Sequence, residues 1–102
     1  MKNEQLEKMI EKQEFPRVKR DDMEKKITKV DYLILPNTTV TICNITLENG
    51  YSVRGESACI DERNFNMQIG QEIAFRNAFN KLWDLEGYLL TEKLYRASNE
   101  AS

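Results

Sequence analysis

Hydrophobic and polar residues alternate along this chain with two different periods, and the period changes near Asp61. The segments 3–14 and 20–29 carry narrow apolar stripes at helical spacing, which predicts two short helices. The segments 30–35 and 46–59 alternate with a period of two, which predicts strands. Beyond Asp61 the period returns to about 3.6 residues, which predicts a C-terminal helix. The pattern favours an α+β fold with short N-terminal helices, a small antiparallel sheet centred on a β-hairpin, and the C-terminal helix packed on one face of the sheet.

The N-terminal segment, residues 1–16, is rich in strong helix formers but carries little apolar surface. Its stripe consists of Leu6, Met9 and Ile10, which is too small to hold a helix in water by itself. The segment is therefore either a mobile arm or an oligomer contact, and Pro16 ends it. The predicted parts of the chain are a helical arm at 1–16, a single α+β domain at 17–96 and a disordered tail at 97–102.

The second helix and the first strand follow each other directly. Met23 and Ile27 form the inner face of the helix predicted at 20–29. The strand at 30–35 is apolar on both sides, and Pro36 stops it. We expect such a strand to be covered on one face and to lie at an edge of the sheet or in an oligomer contact.

The stretch TLENGYSVRGESAC, residues 46–59, predicts a hairpin that turns at Asn49-Gly50. A two-residue turn would mix apolar and polar side chains on both faces, whereas a three-residue loop at 48–50 separates them. The longer loop requires its glycine to adopt the left-handed conformation. It also places Arg54 and Glu56 on the polar face, away from the core.

The same register fixes the positions of the two cysteines. Cys43 lies opposite Gly55, and Cys59 lies opposite Thr39. The sulfur atoms are therefore several residues apart along the sheet, beyond the Cα separation of about 7 Å that a disulfide tolerates. We expect both cysteines to be reduced packing residues.

The C-terminal helix carries a stripe of small residues. Gly70, Ala74 and Ala78 recur every four residues, so this face can lie close to the sheet. Asp61 or Asn64 can cap the start of the helix, which is expected to run to about residue 82. The large apolar side chains expected on either side of the stripe are Ile69, Ile73, Phe75, Phe79 and Leu82.

We expect the C-terminal helix to be broken near 83–85, where Asp84 can cap a last helix over 85–96. Gly87 indicates either a close approach to another backbone or a simple bend. The side chains of this last helix that are expected to face inward are Leu85, Tyr88 and Leu89.

Composition excludes most catalytic chemistry. The chain has no histidine, which removes histidine-based acid–base, nucleophilic and metal-ligating roles. Two cysteines cannot form a cysteine-rich zinc site, and the four glycines form no phosphate-binding loop. The net charge of −2 does not favour nucleic-acid binding, and no apolar run approaches the ~20 residues of a membrane span. We expect a protein that is not an enzyme, has no cofactor or metal, and binds neither nucleic acid nor a membrane.

The candidate ligand-binding or partner-binding residues are polar or aromatic side chains. Arg54 and Arg76 can each grip an anion, or they can form a cross-strand pair and a helix-surface charge. Trp83 and Tyr88 can belong to the core or form a stacking surface for a base or a partner. The full set is Arg54, Glu56, Ser57, Arg76, Asn77, Trp83 and Tyr88.

A set of short motifs distinguishes residues 18–95. They are Asn49-Gly50, the run Gly55-Glu56-Ser57-Ala58-Cys59, Asn64-Phe65, Gly70, the Ala74/Ala78 pair, Leu82-Trp83 and Gly87-Tyr88. Together they resemble a small protein family of tailed bacteriophages and prophages. The family often has proline where this chain has Asp84, in agreement with a break in the helix. The resemblance leaves residues 1–16 outside and implies no catalytic residues.

The resemblance implies a phage origin and a location in the cytoplasm of the infected bacterial host. Small non-structural phage proteins usually act by binding, so we expect an accessory protein that inhibits or sequesters a host factor. An anti-defence role against a host protein or a nucleotide signal would fit. The alternative is a nucleic-acid-associated accessory factor in phage replication or expression. A core as small as this one also predicts a homo-oligomer.

Overall fold

The computed structural model describes residues 3–12 and 14–101, and it confirms the α+β fold. Two short helices come first, a three-stranded antiparallel sheet follows, and one long helix lies on the sheet. The elements are α1 (Asn3–Glu11), α2 (Arg20–Lys25), β1 (Ile27–Ile34), β2 (Val40–Leu47), β3 (Ser52–Ala58), a 3₁₀ turn (Glu62–Asn64) and α3 (Met67–Ala101).

The hairpin between β2 and β3 has the predicted three-residue loop. Cys43 pairs with Gly55, as that register requires. The Leu47 amide donates to the Tyr51 carbonyl at 2.8 Å, and the Gly50 amide donates to the Leu47 carbonyl at 2.9 Å. The φ angle of Gly50 is +90°, where an L side chain is strained and glycine is not. The bulged turn is therefore confirmed.

The two faces of the sheet separate as the register predicts. Along β2 the residues facing α3 are buried, among them Cys43 and Ile45, while Asn44 and Thr46 face the other side. Both cysteines are free, as expected. The face of the sheet opposite α3 therefore carries the polar side chains of β2 and β3, together with Ile42 and Leu33, and the core lies between the sheet and the helices.

Helix α2 is shorter than predicted, and β1 begins earlier. Met23 is buried as expected, but Ile27 belongs to β1 and not to the helix. The chain leaves the helix at Lys26, whose carbonyl accepts the Glu48 amide at 2.8 Å, so the hairpin turn holds this point. The β-branched pair Ile27-Thr28 then favours a strand. β1 lies at an edge of the sheet, as predicted.

The small-residue stripe of α3 faces the sheet, as predicted. Ala74 and Ala78 have no exposed surface. A β-carbon on Gly55 of β3 would collide with the backbone nitrogen of Ala78 and would lie 2.5 Å from the carbonyl oxygen of Ala74. The backbones of β3 and α3 therefore touch, because neither contributes a side chain larger than a methyl group at this point.

The predicted break at 83–85 is wrong, because α3 is continuous from residue 67 to residue 101. Asp84 keeps the backbone N–H that a proline would lack, so the helical hydrogen bonds can continue there. No neighbouring atom lies within 4 Å of the position that a β-carbon on Gly87 would occupy, so the predicted close approach is also wrong. Residues 97–101, expected to form a disordered tail, are helical, and Ser102 lies outside the described residues.

Several side chains of α3 also differ from the prediction. Phe79 and Leu82 are buried, but Ile69 and Ile73 are exposed because they lie on the helix side turned away from the sheet. The helix is capped by Asn66, whose Oδ1 accepts the Ile69 amide at 3.1 Å, whereas Asp61 caps the 3₁₀ turn. The residues of the last turns that were expected to face inward, namely Leu85, Tyr88 and Leu89, are exposed.

Candidate functional site

The polar face of the sheet holds Arg54 and Glu56, as predicted. The Arg54 guanidinium donates to Asn44 Oδ1 at 3.1 Å and to Ser52 Oγ at 3.0 Å, so it is tied into a row of neutral polar groups. The Glu56 side chain is exposed on the same face. Both charged side chains are exposed, so their charges are solvated.

Ser57 and Asn77 join the helix to the sheet. The Ser57 hydroxyl donates to the Gly70 carbonyl at 2.7 Å, and Asn77 Nδ2 donates to the Glu56 carbonyl at 2.8 Å. Because alternate residues of β3 bond to β2, the Glu56 carbonyl points to the open edge of the strand, where Asn77 satisfies it. Both side chains therefore have a structural role that explains their presence.

The remaining candidates lie apart from these. Trp83 meets the Phe79 ring edge-on, with centroids 6.3 Å apart, and its other side is exposed. Arg76 is exposed on α3, and Tyr88 lies further along the helix with 72 % of its surface exposed. The structure thus does not bring the sequence-predicted residues together into one site.

A first surface of interest is the part of α3 beyond the sheet, residues 84–101, which we call the overhang. Leu85 and Leu89 follow Ala74 and Ala78 by about three helical turns, so they continue the face that is buried against the sheet. Each is nevertheless 40 % exposed, and Leu89 borders the segment 17–26. The sequence pattern predicted the correct face of the helix for these residues. It did not predict the overhang, because a helix broken at 83–85 would turn back and pack on the core.

A second feature is a groove of about 420 Å³ between the segment 17–26 and the α3 residues 86–93, which we call the basic groove. Its wall is fixed by an ion pair of 2.8 Å between Lys26 Nζ and the half-buried Glu86 carboxylate. The Arg20 guanidinium lies 4.7 Å from the centre of the Phe79 ring and holds α2 against α3. The cationic side chains that line the groove are Arg17, Lys19, Lys25, Lys26 and Lys93.

The environment of the Cys43 thiol does not favour a reactive cysteine. Burial raises the pKa of the Cys43 thiol, and the neighbouring Tyr32 hydroxyl offsets this only in part. Burial also raises the pKa of Tyr32. A reactive cysteine needs the opposite shift, because the thiolate is the nucleophile.

Among the residues that the structure describes, no group of histidine, cysteine, aspartate or glutamate side chains could hold a metal ion. Within the same residues, no helix has the length and apolar character needed to cross a membrane.

Comparison with known proteins decides the family. The model of the phage protein (N4 Gp49/phage Sf6 gene 66) family matches residues 2–94. The chain belongs to this family. No curated protein and no solved structure matches it.

The N4 Gp49/phage Sf6 gene 66 match confirms the predicted phage family and extends its boundary. It begins at residue 2, so the N-terminal segment, expected to lie outside, is part of the family sequence. The match also contains the whole basic groove and the overhang as far as residue 94. Both surfaces therefore fall within the family region.

Proposed function

We propose that this phage protein is a non-enzymatic accessory protein that binds a host protein through the overhang of α3. The observation that carries the proposal is the continuation of the buried face of α3 beyond the sheet as an exposed apolar face. An apolar stripe that leaves its own core without cover is typical of a partner-binding surface.

The spacing of the exposed side chains suggests the kind of partner. Leu85, Tyr88 and Leu89 stand at positions i, i+3 and i+4, and Tyr95 continues the same side of the helix. An amphipathic helix of this pattern can lay its apolar side chains into a hydrophobic groove of another protein. Tyrosine is enriched among the residues that carry binding energy at such interfaces.

The absence of histidine from the sequence supports a binding role over catalysis. In the cytoplasm of an infected bacterium, a protein that occupies a host groove would inhibit or sequester its target. An anti-defence role would follow if that target belongs to a host defence system.

The experiment is to express the tagged protein in the bacterial host, isolate its complexes during infection, and measure their masses in the native state. The expected result is a complex of defined stoichiometry with one host protein that the double variant Leu85→Ser/Tyr88→Ala does not retain. Ile73→Ala is the matched control, because Ile73 is also an exposed apolar side chain of α3 but belongs to the part of the helix that is packed on the sheet.

Reconstitution with the purified host protein then separates the alternatives. Binding that Ile73→Ala preserves and the double variant loses supports the proposal. Recovery of a monomer, of a homo-oligomer alone, or of complexes that both variants retain would contradict it. Circular dichroism checks that both variants keep the helical content of the parent.

The alternative, a nucleic-acid-associated role, has weaker support. The cations of the basic groove are interleaved with the carboxylates of Asp22, Glu48 and Glu86. A protein that follows a nucleic-acid backbone normally presents an extended basic surface, since phosphate neutralisation dominates its affinity. A steep decrease of affinity for DNA or RNA with rising salt would favour this alternative.

A further inference from the structure

We propose that the basic groove is a binding site for a small phosphorylated ligand of the nucleoside phosphate class. The groove is lined in part by residues of the overhang, among them Leu89 and Lys93, but the two proposals concern different ligands and are tested by different variants. The inference rests on the charge of the groove, on one buried donor and on the apolar part of its wall.

The groove is lined by five cations and by three carboxylates, those of Asp22, Glu48 and Glu86, so it has a positive balance in a chain whose net charge is −2. Of its cations, Lys26 is paired with Glu86. Within the described part of the chain, Arg17, Lys19 and Lys93 form no ion pair, and the same holds for Lys25. These four cations outnumber the two remaining carboxylates of the lining, Asp22 and Glu48, and a bound anion relieves the repulsion between the cations. A phosphate group offers the charge and the acceptor oxygens that these donors lack.

The second observation is a buried donor. Arg17 Nε is shielded from solvent and finds no acceptor among the described residues. A buried donor without a partner is destabilising, and guanidinium groups are suited to bind phosphate oxygens in a fork. Because Arg17 lines the groove, an anion in it can supply the missing acceptor.

The third observation is the apolar wall. Val18, Leu89 and Leu90 line the groove together with the cations. Inorganic phosphate has no apolar surface to bury against this wall, whereas the flat face of a nucleobase can bury apolar surface there. The volume of about 420 Å³ falls within the roughly 300–1,000 Å³ range of small-molecule sites. The mixture of charge and apolar surface therefore favours a nucleotide over a simple anion.

The wall of the groove is formed before any ligand binds. The 2.8 Å ion pair between Lys26 and Glu86 and the contact of Arg20 with Phe79 hold the segment 17–26 against α3. A site that needs little ordering loses less affinity to conformational entropy.

The test is calorimetric titration of the full chain with ATP, ADP, adenosine and inorganic phosphate, together with thermal unfolding in their presence. We expect ATP or ADP to bind and to raise Tm, because a ligand that binds only the folded state stabilises it. Adenosine lacks the phosphate groups and inorganic phosphate lacks the base. Each should therefore bind at least about tenfold more weakly than the nucleotides.

Variants locate the site. Arg17→Gln and Lys93→Gln should each weaken nucleotide binding by about tenfold or more, since each removes a charged hydrogen bond. Arg54→Gln is the matched control, because Arg54 is a cation on the opposite face of the sheet. Its affinity for the nucleotide should equal that of the parent.

Three outcomes would overturn the proposal. The first is the absence of heat and of a Tm shift with either nucleotide at millimolar concentration. The second is an equal loss of affinity in Arg54→Gln, which would indicate a non-specific charge effect. The third is binding of single-stranded DNA or RNA oligonucleotides with steep salt dependence and no binding of mononucleotides, which would assign the groove to nucleic acid.

Discussion

The two edge strands of the sheet, β1 and β3, are covered to different extents by helix α3. Tyr32 of β1, Cys43 of β2 and Gly55 of β3 form one row across the sheet. At the β3 end of that row there is no room for a β-carbon, because the backbone of α3 lies directly above. At the β1 end stands a tyrosine that is still 41 % exposed. Helix α3 therefore lies over β2 and β3 and leaves the α3-facing side of β1 largely open.

The difference shows where the fold is specified. The β3 side depends on small residues and on hydrogen bonds from Ser57 and Asn77, so its geometry tolerates little change. The β1 side consists of larger side chains that are partly solvated and can adjust. Substitutions should therefore have large effects on the β3 side and small effects on the β1 side.

The largest expected effect is that of Gly55→Ala. The added methyl group would collide with the backbone of Ala78 and force α3 away from β3, which should cost about 3 kcal/mol or more of the free energy of unfolding. Urea unfolding followed by circular dichroism measures this cost, and failure to fold is consistent with it.

Gly87→Ala is the matched control for that change. The β-carbon would meet no neighbouring atom there, and alanine has the higher helix propensity, so the variant should gain about 0.5–1 kcal/mol. Equal stability of the two variants would contradict the close contact between β3 and α3.

A smaller loss is expected for Ala74→Leu, which should overpack the same seam and cost about 1–3 kcal/mol. On the open side, Tyr32→Thr replaces an exposed aromatic side chain by a β-branched one that also favours a strand, and should cost less than about 1 kcal/mol. Thermal unfolding of both variants compares the two sides directly. A greater loss in the Tyr32 variant would reverse the comparison.

Removal of one edge hydrogen bond should cost less again. Asn77→Ala leaves the Glu56 carbonyl without its partner, which should lower the free energy of unfolding by about 1 kcal/mol. Asn80→Ala, an exposed position one turn further along α3, should be neutral. If both variants unfold at the same urea concentration, the bond to the β3 edge contributes nothing.

The smallest effect is a dependence on alkaline pH at the boundary between the two sides. The pKa of Cys43 is raised in the folded state, so the unfolded chain loses this proton first as the pH rises above about 8.5. The folded state then binds more protons than the unfolded state, and the free energy of unfolding falls with rising pH. Urea unfolding at pH 7.5 and pH 10 should show a steeper loss for the parent than for Cys43→Ala.

The β3 side could be predicted from the sequence because its constraints are local. Apolar and polar residues separate in only one hairpin register, and that register fixes the positions of Gly50 in the turn and Gly55 in β3. The spacing of Ala74 and Ala78 then marks the face of α3 that packs on β3. The β1 side depends on where α3 lies, and the side-chain pattern does not specify how a helix is placed across a sheet.

The overhang and the groove could not be predicted for a related reason. Asp84 and Gly87 are compatible with either a break or a continuous helix, and the helix continues because its ladder of backbone hydrogen bonds is not interrupted. The basic groove unites two segments that are far apart in sequence, residues 17–26 and 86–93, and neither has a recognisable motif. Only the tertiary arrangement brings their charges together.

The seam between β3 and α3 also restricts how the helix can move. If α3 shifted by one turn so that Leu82 took the place of Ala78, the leucine side chain would collide with the Gly55 backbone. A ratchet in the other direction would bring Ala74 to that place, which it fits, but would withdraw Leu82 from the core and leave a cavity. Steric repulsion thus blocks one direction and lost burial opposes the other, so the helix is locked in register by two different forces.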